Sequence, residues 1–108
     1  NIYRDGIAIS TAEPGEIFSP VVIAQAADIL LTMSGIDASF VISERKDGRI
    51  GISARSLGDI NVQLIMEKMN GGGHLTNAAT QLEETTIEET KQQLQANLDE
   101  YLEGGDQE

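Results

Sequence analysis

The sequence lacks cysteine, has a single histidine and few aromatic residues, and contains no long apolar run. Each absence excludes something. Without cysteine there is no disulfide framework and no thiolate metal site. One histidine, His74, cannot supply the usual ligand set of a catalytic zinc, and no Ser-His-acid signature is present. The most apolar stretch, Val21 to Met33, is broken by Gln25 and Asp28. It falls short of the roughly 20 apolar residues that a membrane span requires. With 40% apolar residues but only 4% aromatics, the core is expected to be aliphatic. No signal peptide is recognisable, and the first residue is Asn1 rather than Met, so a segment of a longer polypeptide is expected.

Net charge is −11 over 108 residues, which argues against a general nucleic-acid surface. The charge is uneven. Residues 83–108 hold nine acids and one base, whereas residues 1–82 hold nine acids and six bases. The acidity is therefore concentrated in the C-terminal segment, and a local anion site elsewhere is compatible with it.

The length suits one domain with a modest core. Residues 7–11, IAIST, read as a strand. A helix follows, with Ser19 as N-cap, Pro20 at its first position and Gly35 as its stop. Val22, Ile23, Ala26, Ile29, Leu30 and Met33 recur at helical spacing and are expected to form core. IDASFVISER and RIGISARS read as a hairpin around Asp47-Gly48, with Ala38, Phe40 and Ile42 on one strand and Ile50, Ile52 and Ala54 on the other. Asn61 looks like the N-cap of a short helix carrying Val62, Leu64, Ile65, Met66 and Met69, which the glycine triplet Gly71 to Gly73 ends. Beyond it a helical turn over 75–79 and a brief strand over 80–83 are expected. Thr86 and Glu89 form a capping box for a final surface helix with Ile87, Leu94, Leu98, Tyr101 and Leu102 as its apolar stripe. The predicted class is α/β, a single domain over 1–103 with a mixed sheet of four to five strands covered by helices, and a frayed tail over 104–108.

Two stretches carry candidate chemistry. In NGGGHLTNAA, glycines without Cβ atoms can let consecutive N–H groups curl round an anion. A helical turn after them would add its N-terminal dipole, and His74 can donate to a phosphate oxygen. Equally, the triplet can be a helix stop and loop with His74 on the surface. The pattern is neither a Walker loop nor a dinucleotide fingerprint. In SARS, residues 53–56, Arg55 ends a strand, where ligands gather in open α/β sheets, and its planar fork suits phosphate. In so acidic a chain it can equally pair with a carboxylate. Thr76 and Asn77 can contact a ligand or satisfy nearby backbone. The basic hairpin tip with Arg45 and Arg49 reads as solubilising surface.

Gly71-Gly72-Gly73-His74 followed by Ala78-Ala79 resembles the signature of the DHH-associated C-terminal domain of DHH-type phosphoesterases. Three residues rather than two separate His74 from the alanines. GGGHLTNAATQL together with SARSLGDINVQLIME looks like the cyclic di-AMP phosphodiesterase branch, of GdpP type, and the similarity spans about residues 1–103. Asn70 stands where a further glycine is expected. The resemblance implies a substrate-binding domain and an upstream DHH domain of the same chain. That upstream part would hold manganese and hydrolyse a cyclic dinucleotide to a linear one, leaving this segment inactive by itself. Gly71, Gly72, Gly73 and His74 would bind substrate phosphate, and Arg55 and Ser56 would meet phosphate or nucleotide. Ser53, Thr76 and Asn77 would be secondary contacts. No residue here would be catalytic or hold metal. The full-length protein would be anchored in the bacterial membrane with this domain in the cytoplasm. Homodimerisation is left open. Alternatives are an oligonucleotide or nucleoside-bisphosphate phosphoesterase of nanoRNase type, an RNA-binding accessory domain like that of alanyl-tRNA synthetases, or a purely structural domain.

Overall fold

The computed structural model describes residues 2–4 and 6–104. Six strands form one sheet in the order β1-β2-β3-β4-β6-β5, with β1 Ile2–Arg4, β2 Ile7–Thr11, β3 Ala38–Glu44, β4 Ile50–Ser56, β5 Gly72–His74 and β6 Asn77–Leu82. Among the strands of the described residues, only β2 and β3 run parallel to each other, joined by α1 Pro20–Leu31, and the other strand pairs are antiparallel; an isolated parallel bridge links Ile17 to Glu44. Helices α2 Val62–Glu67 and α3 Ile87–Leu102 complete the α/β domain. The sheet has one strand more than the upper expectation. Of the two three-residue strands, β5 holds two glycines, which carry no strand propensity of their own, and His74. Of the expected tail, Gly104 ends α3 with a φ of 92°, and residues 105–108 lie outside the described residues.

The sheet has two unlike faces because alternate residues of a strand point to opposite sides. One face presents Ile7 and Ile9, Ala38, Phe40 and Ile42, Ile50, Ile52 and Ala54, and Ala78, all buried. Val62, Ile65 and Met66 of α2 and Ile87, Leu94 and Leu98 of α3 pack on this aliphatic surface in one cluster. The caps follow the sequence closely. Asn61 accepts from the Leu64 amide, and Thr86 accepts from the Glu89 amide. The Glu89 carboxylate is hydrogen-bonded by the Thr85 hydroxyl at 3.3 Å, so the capping box is modified on its return side.

The opposite face is small and polar. Ser39, Val41 and Ser43 of β3 lie beside Arg55, Ser53 and Gly51 of β4, which lie beside Asn77, Ala79 and Gln81 of β6. Helix α1 covers the β3 part of it. Ile23 and Ala27 pack on Val41, and the buried Ser39 hydroxyl donates to the Ala27 carbonyl at 2.7 Å. This narrow contact corrects the expected core stripe: Val22, Ile29 and Met33 are 45%, 62% and 54% exposed. The helix also ends at Leu31 with Thr32 as its cap, earlier than Gly35 suggests.

Beyond the helical turn expected at 75–79, a second correction concerns β6. The chain turns at Leu75-Thr76 and returns at once as β6, so the triplet opens a hairpin instead of a helix. Asn70 has a φ of 66°, the left-handed conformation that glycine adopts most readily. That is the position where the sequence pattern suggested a further glycine.

The first strand is tied to the last helix. The Tyr3 hydroxyl donates to Asp99 at 2.8 Å, and Arg4 pairs with the same carboxylate at 2.8 Å. The Tyr3 bond first, and then Arg4, hold the Asp99 carboxyl below its ordinary value of 3.8. A carboxyl lowered in the folded state contributes stability that is present above its unfolded pKa and lost as pH falls through the folded one. Tyr3→Phe is therefore expected to destabilise the domain at pH 7 and to lose less further stability on acidification than the parent. Urea unfolding at neutral and acidic pH checks this; an equal loss in both proteins would remove Tyr3 as the cause.

Candidate functional site

Cross-strand pairing gathers the sequence candidates into a row. Ser39, Arg55, Asn77 and His74 are register partners across β3, β4, β6 and β5. Paired residues share a face, so Arg55, Asn77 and His74 stand side by side on the small polar face, with Arg55 at the edge of α1. The adjacent row is Val41, Ser53, Ala79 and Gly72. Arg55, His74, Asn77, Ser53 and Gly72 thus come together from three strands, β4, β5 and β6.

The Arg55 side chain is only 14% exposed and is held from two sides. Its Nε donates to Asp28 Oδ1 at 2.8 Å, and its Nη1 donates to Asn77 Oδ1 at 2.9 Å and to the Ala54 carbonyl at 3.0 Å. Among the described residues nothing bonds Nη2, whose two N–H groups are left for an oxyanion. Because Asn77 accepts through its oxygen, its amide nitrogen remains a donor toward solvent. His74, exposed beside it, adds a third. The carboxylate pairing read for Arg55 in the sequence is realised, and that pairing orients the rest of its fork. Asp28 is the residue that sequence reasoning missed in this role. The sequence shows Asp28 only as a lone acid within the apolar stretch of α1, with nothing that names its partner.

The other candidates do different work. Ser56 is buried on the opposite face; its hydroxyl donates to the Ile60 carbonyl at 2.7 Å and accepts from the Gly58 amide at 2.9 Å, which shapes the loop into α2. Thr76 is exposed in the β5–β6 turn, and its carbonyl accepts from the Ser56 amide at 3.0 Å. The Leu75 carbonyl accepts from the Val62 amide at 3.0 Å. These two bonds pin the turn that follows His74 to the end of β4 and to the start of α2.

The triplet is extended, so its N–H groups alternate in direction and do not form a nest; the helix dipole expected after it is also absent. The glycines serve close approach instead. A Cβ at Gly71 would collide with the Ala79 carbonyl and the Thr80 side chain. At Gly73 it would sit 2.5 Å from the Ala78 Cα and the Asn77 carbonyl oxygen. At Gly72 it would meet nothing within 4 Å, on the open face. As the outer strand of the sheet, β5 also leaves one side of its backbone without a strand partner.

A family model for the DHHA1 domain matches residues 5–104. The chain belongs to the DHHA1 family. It is 60% identical over 104 residues, 96% of the chain, to the cyclic-di-AMP phosphodiesterase GdpP of Geobacillus thermodenitrificans, and 59% identical over 103 residues, 95% of the chain, to the cyclic-di-AMP phosphodiesterase PdeA of Listeria monocytogenes. It spans only 16% of the length of each relative. Among solved structures, an exopolyphosphatase-related protein from Bacteroides fragilis superposes with a TM-score of 0.63 at 28% identity, covering 69% of this chain and 22% of that one. A pGpG-specific phosphodiesterase from Vibrio cholerae shares the fold, with a TM-score of 0.59 at 14% identity over 87% of this chain and 34% of its own.

The residues of the DHHA1 site do not suit a divalent metal. No three histidine, aspartate or glutamate side chains cluster among the described residues, and Asp28, the acid that reaches this row from α1, is already paired with Arg55. Among the described residues, no helix is long and apolar enough to cross a membrane.

The glycine geometry predicts an asymmetric mutational response. Gly71→Ala and Gly73→Ala should each cost about 2 kcal/mol or more, by overlap with β6 and, at Gly73, by a φ of 145°. Gly72→Ala should stay within about 0.5 kcal/mol. Denaturant unfolding of the three variants checks this, and an equal cost at all three positions would refute the close approach.

Proposed function

We propose that this domain is the substrate-binding C-terminal part of a phosphodiesterase that opens a cyclic dinucleotide, with cyclic di-AMP as the preferred substrate class. The observation that carries the reading is the row Arg55-Asn77-His74 on an uncovered sheet face, in a chain 60% identical to a cyclic-di-AMP phosphodiesterase. Arg55, through Nη2, and His74 take phosphate oxygens, and Asn77 adds an amide donor. Charge-assisted hydrogen bonds of this kind are short and directional. Asp28 holds the guanidinium in place. Gly72 lets a ligand come close to the sheet, and Ser53 borders the same surface.

The hydrolytic step belongs to a part of the longer protein outside this segment, where manganese would be held and water activated. The donor set here suits an anion rather than a metal ion, and this domain contributes binding and orientation of the phosphodiester. In the longer protein a membrane anchor would lie in that remaining part, with this domain on the cytoplasmic side.

Two results are expected. Titration of the 108-residue chain with cyclic di-AMP, its linear product and AMP, followed by NMR, should shift resonances of Arg55, Gly72, His74 and Asn77. Affinities should be near millimolar, about 4 kcal/mol, because Asp28 offsets much of the positive charge of Arg55. Unchanged resonances there at several millimolar ligand would sink binding by this domain. In the full-length enzyme, His74→Ala should lower kcat/KM about tenfold or more, the loss of one phosphate contact, while leaving the unfolding midpoint of the domain unchanged. If the midpoint fell and kcat/KM of the folded fraction did not, His74 would be a structural residue.

A further inference from the structure

A second feature occupies the same sheet face toward the β3–β4 hairpin. There a cavity of about 400 Å³ is bounded by Ile17, Phe18 and Ile23 on one side and by Arg45 on the other, with Ser43, Gly51 and Ser53 at its floor. Its size and its mix of apolar wall with a few polar groups are those of a small-molecule pocket.

Three details give it chemical character. The Ser43 residue is 3% exposed, yet its hydroxyl makes no hydrogen bond among the described residues, and neither does that of Ser53. Buried hydroxyls normally have a partner, so the Ser43 hydroxyl at the cavity floor points to one supplied from outside the chain. Gly51 lies between these serines in β-register, opposite Ser43 and two residues before Ser53. Its φ is not in the left-handed region, so backbone conformation does not require glycine. A glycine in a strand interior commonly marks a close approach. Here a Cβ would meet the Arg45 stem at 3.3 Å, and its absence keeps the floor low under that side chain. Phe18, 42% exposed, has no aromatic neighbour in the wall. Together with the Arg45 guanidinium it offers planar surfaces suited to stacking.

We propose that this cavity takes a purine ring of the nucleotide whose phosphate is held by Arg55 and His74. The inference rests on that phosphate reading and adds a base-binding subsite to it. Along an extended strand, Ser53 and Gly51 lie about 7 and 13 Å from Arg55, a span that a ribose and the purine ring it carries cover together. The ring slides between Phe18 and Arg45, and its nitrogen edge meets the hydroxyls of Ser43 and Ser53, which can donate or accept.

The test uses the 108-residue chain and three probes: AMP, ribose 5-phosphate and adenosine. By NMR titration AMP should shift both sets of resonances, Arg55, His74 and Asn77 on one side and Ser43, Gly51 and Ser53 on the other. Ribose 5-phosphate should shift only the first set. Ser43→Ala removes a hydroxyl that has no partner in the fold, so its unfolding midpoint should equal or exceed that of the parent. It should weaken AMP about threefold or more while leaving ribose 5-phosphate unchanged. If AMP and ribose 5-phosphate give the same shifts, confined to the Arg55 set, the base pocket is overturned and the phosphate site stands. If adenosine and AMP shift the Ser43 set while no probe touches the Arg55 set, the pocket is supported and the phosphate reading fails. If no probe shifts either set at several millimolar, both are overturned.

Discussion

The seating of β5 against β6 is the constraint on which the site depends. Gly71 and Gly73 have no room for a Cβ against the β6 backbone, so a strand of ordinary residues could not lie there. Once seated, β5 brings His74 into register with Asn77, and β6 brings Asn77 into register with Arg55. The turn between them is fastened to the β4–α2 loop by the Thr76 and Leu75 carbonyls. Three donors, two from one hairpin and one from β4, are thereby held on strands, and their order is set by backbone pairing rather than by loop conformation. A site on strands loses less entropy on binding than one that must order a loop.

The division of the sheet into unlike faces explains how a small domain can spare a whole surface. Aliphatic packing is confined to one side, where α2 and α3 bury Phe40, Ile42, Ile52 and their neighbours. Apolar burial there offsets the conformational entropy of folding. The other side needs only α1, seated on Val41 through Ile23 and Ala27, and the strands beyond it can carry serine, glycine, asparagine and arginine. The same arrangement accounts for the electrostatics. In this strongly acidic chain Asp28 engages one edge of the Arg55 guanidinium and leaves Nη2 uncommitted among the described residues.

Much of the fold was legible in the sequence where a local rule and the tertiary requirement agree. The alternation of Ala38, Phe40 and Ile42 with Ile50, Ile52 and Ala54, the Asp47-Gly48 turn, and the caps at Ser19, Asn61 and Thr86 all appear as read. The failures occur where pairing overrides local preference. Gly72-Gly73-His74 has little strand propensity, yet it is a strand because β6 accepts it. HLTNAA looks helical, yet it turns after two residues because His74 pairs with Asn77. The apolar stretch of α1 gives no hint that it rests on a narrow polar face, so Val22 and Ile29 remain exposed. At the site, the residue types were legible but the row was not, since register across β4, β6 and β5 is long-range. The partnership of Asp28 with Arg55 spans 27 positions and has no local signature.

On the proposed reading, phosphate meets this domain on the open sheet face. The most direct measurement is a crystal structure of the 108-residue chain soaked with the linear dinucleotide product. The account predicts a phosphate oxygen about 3 Å from Arg55 Nη2, with His74 as a second donor and the Asp28 pair intact. A phosphate bound by other groups, with Arg55 Nη2 still facing solvent in the occupied complex, would contradict it.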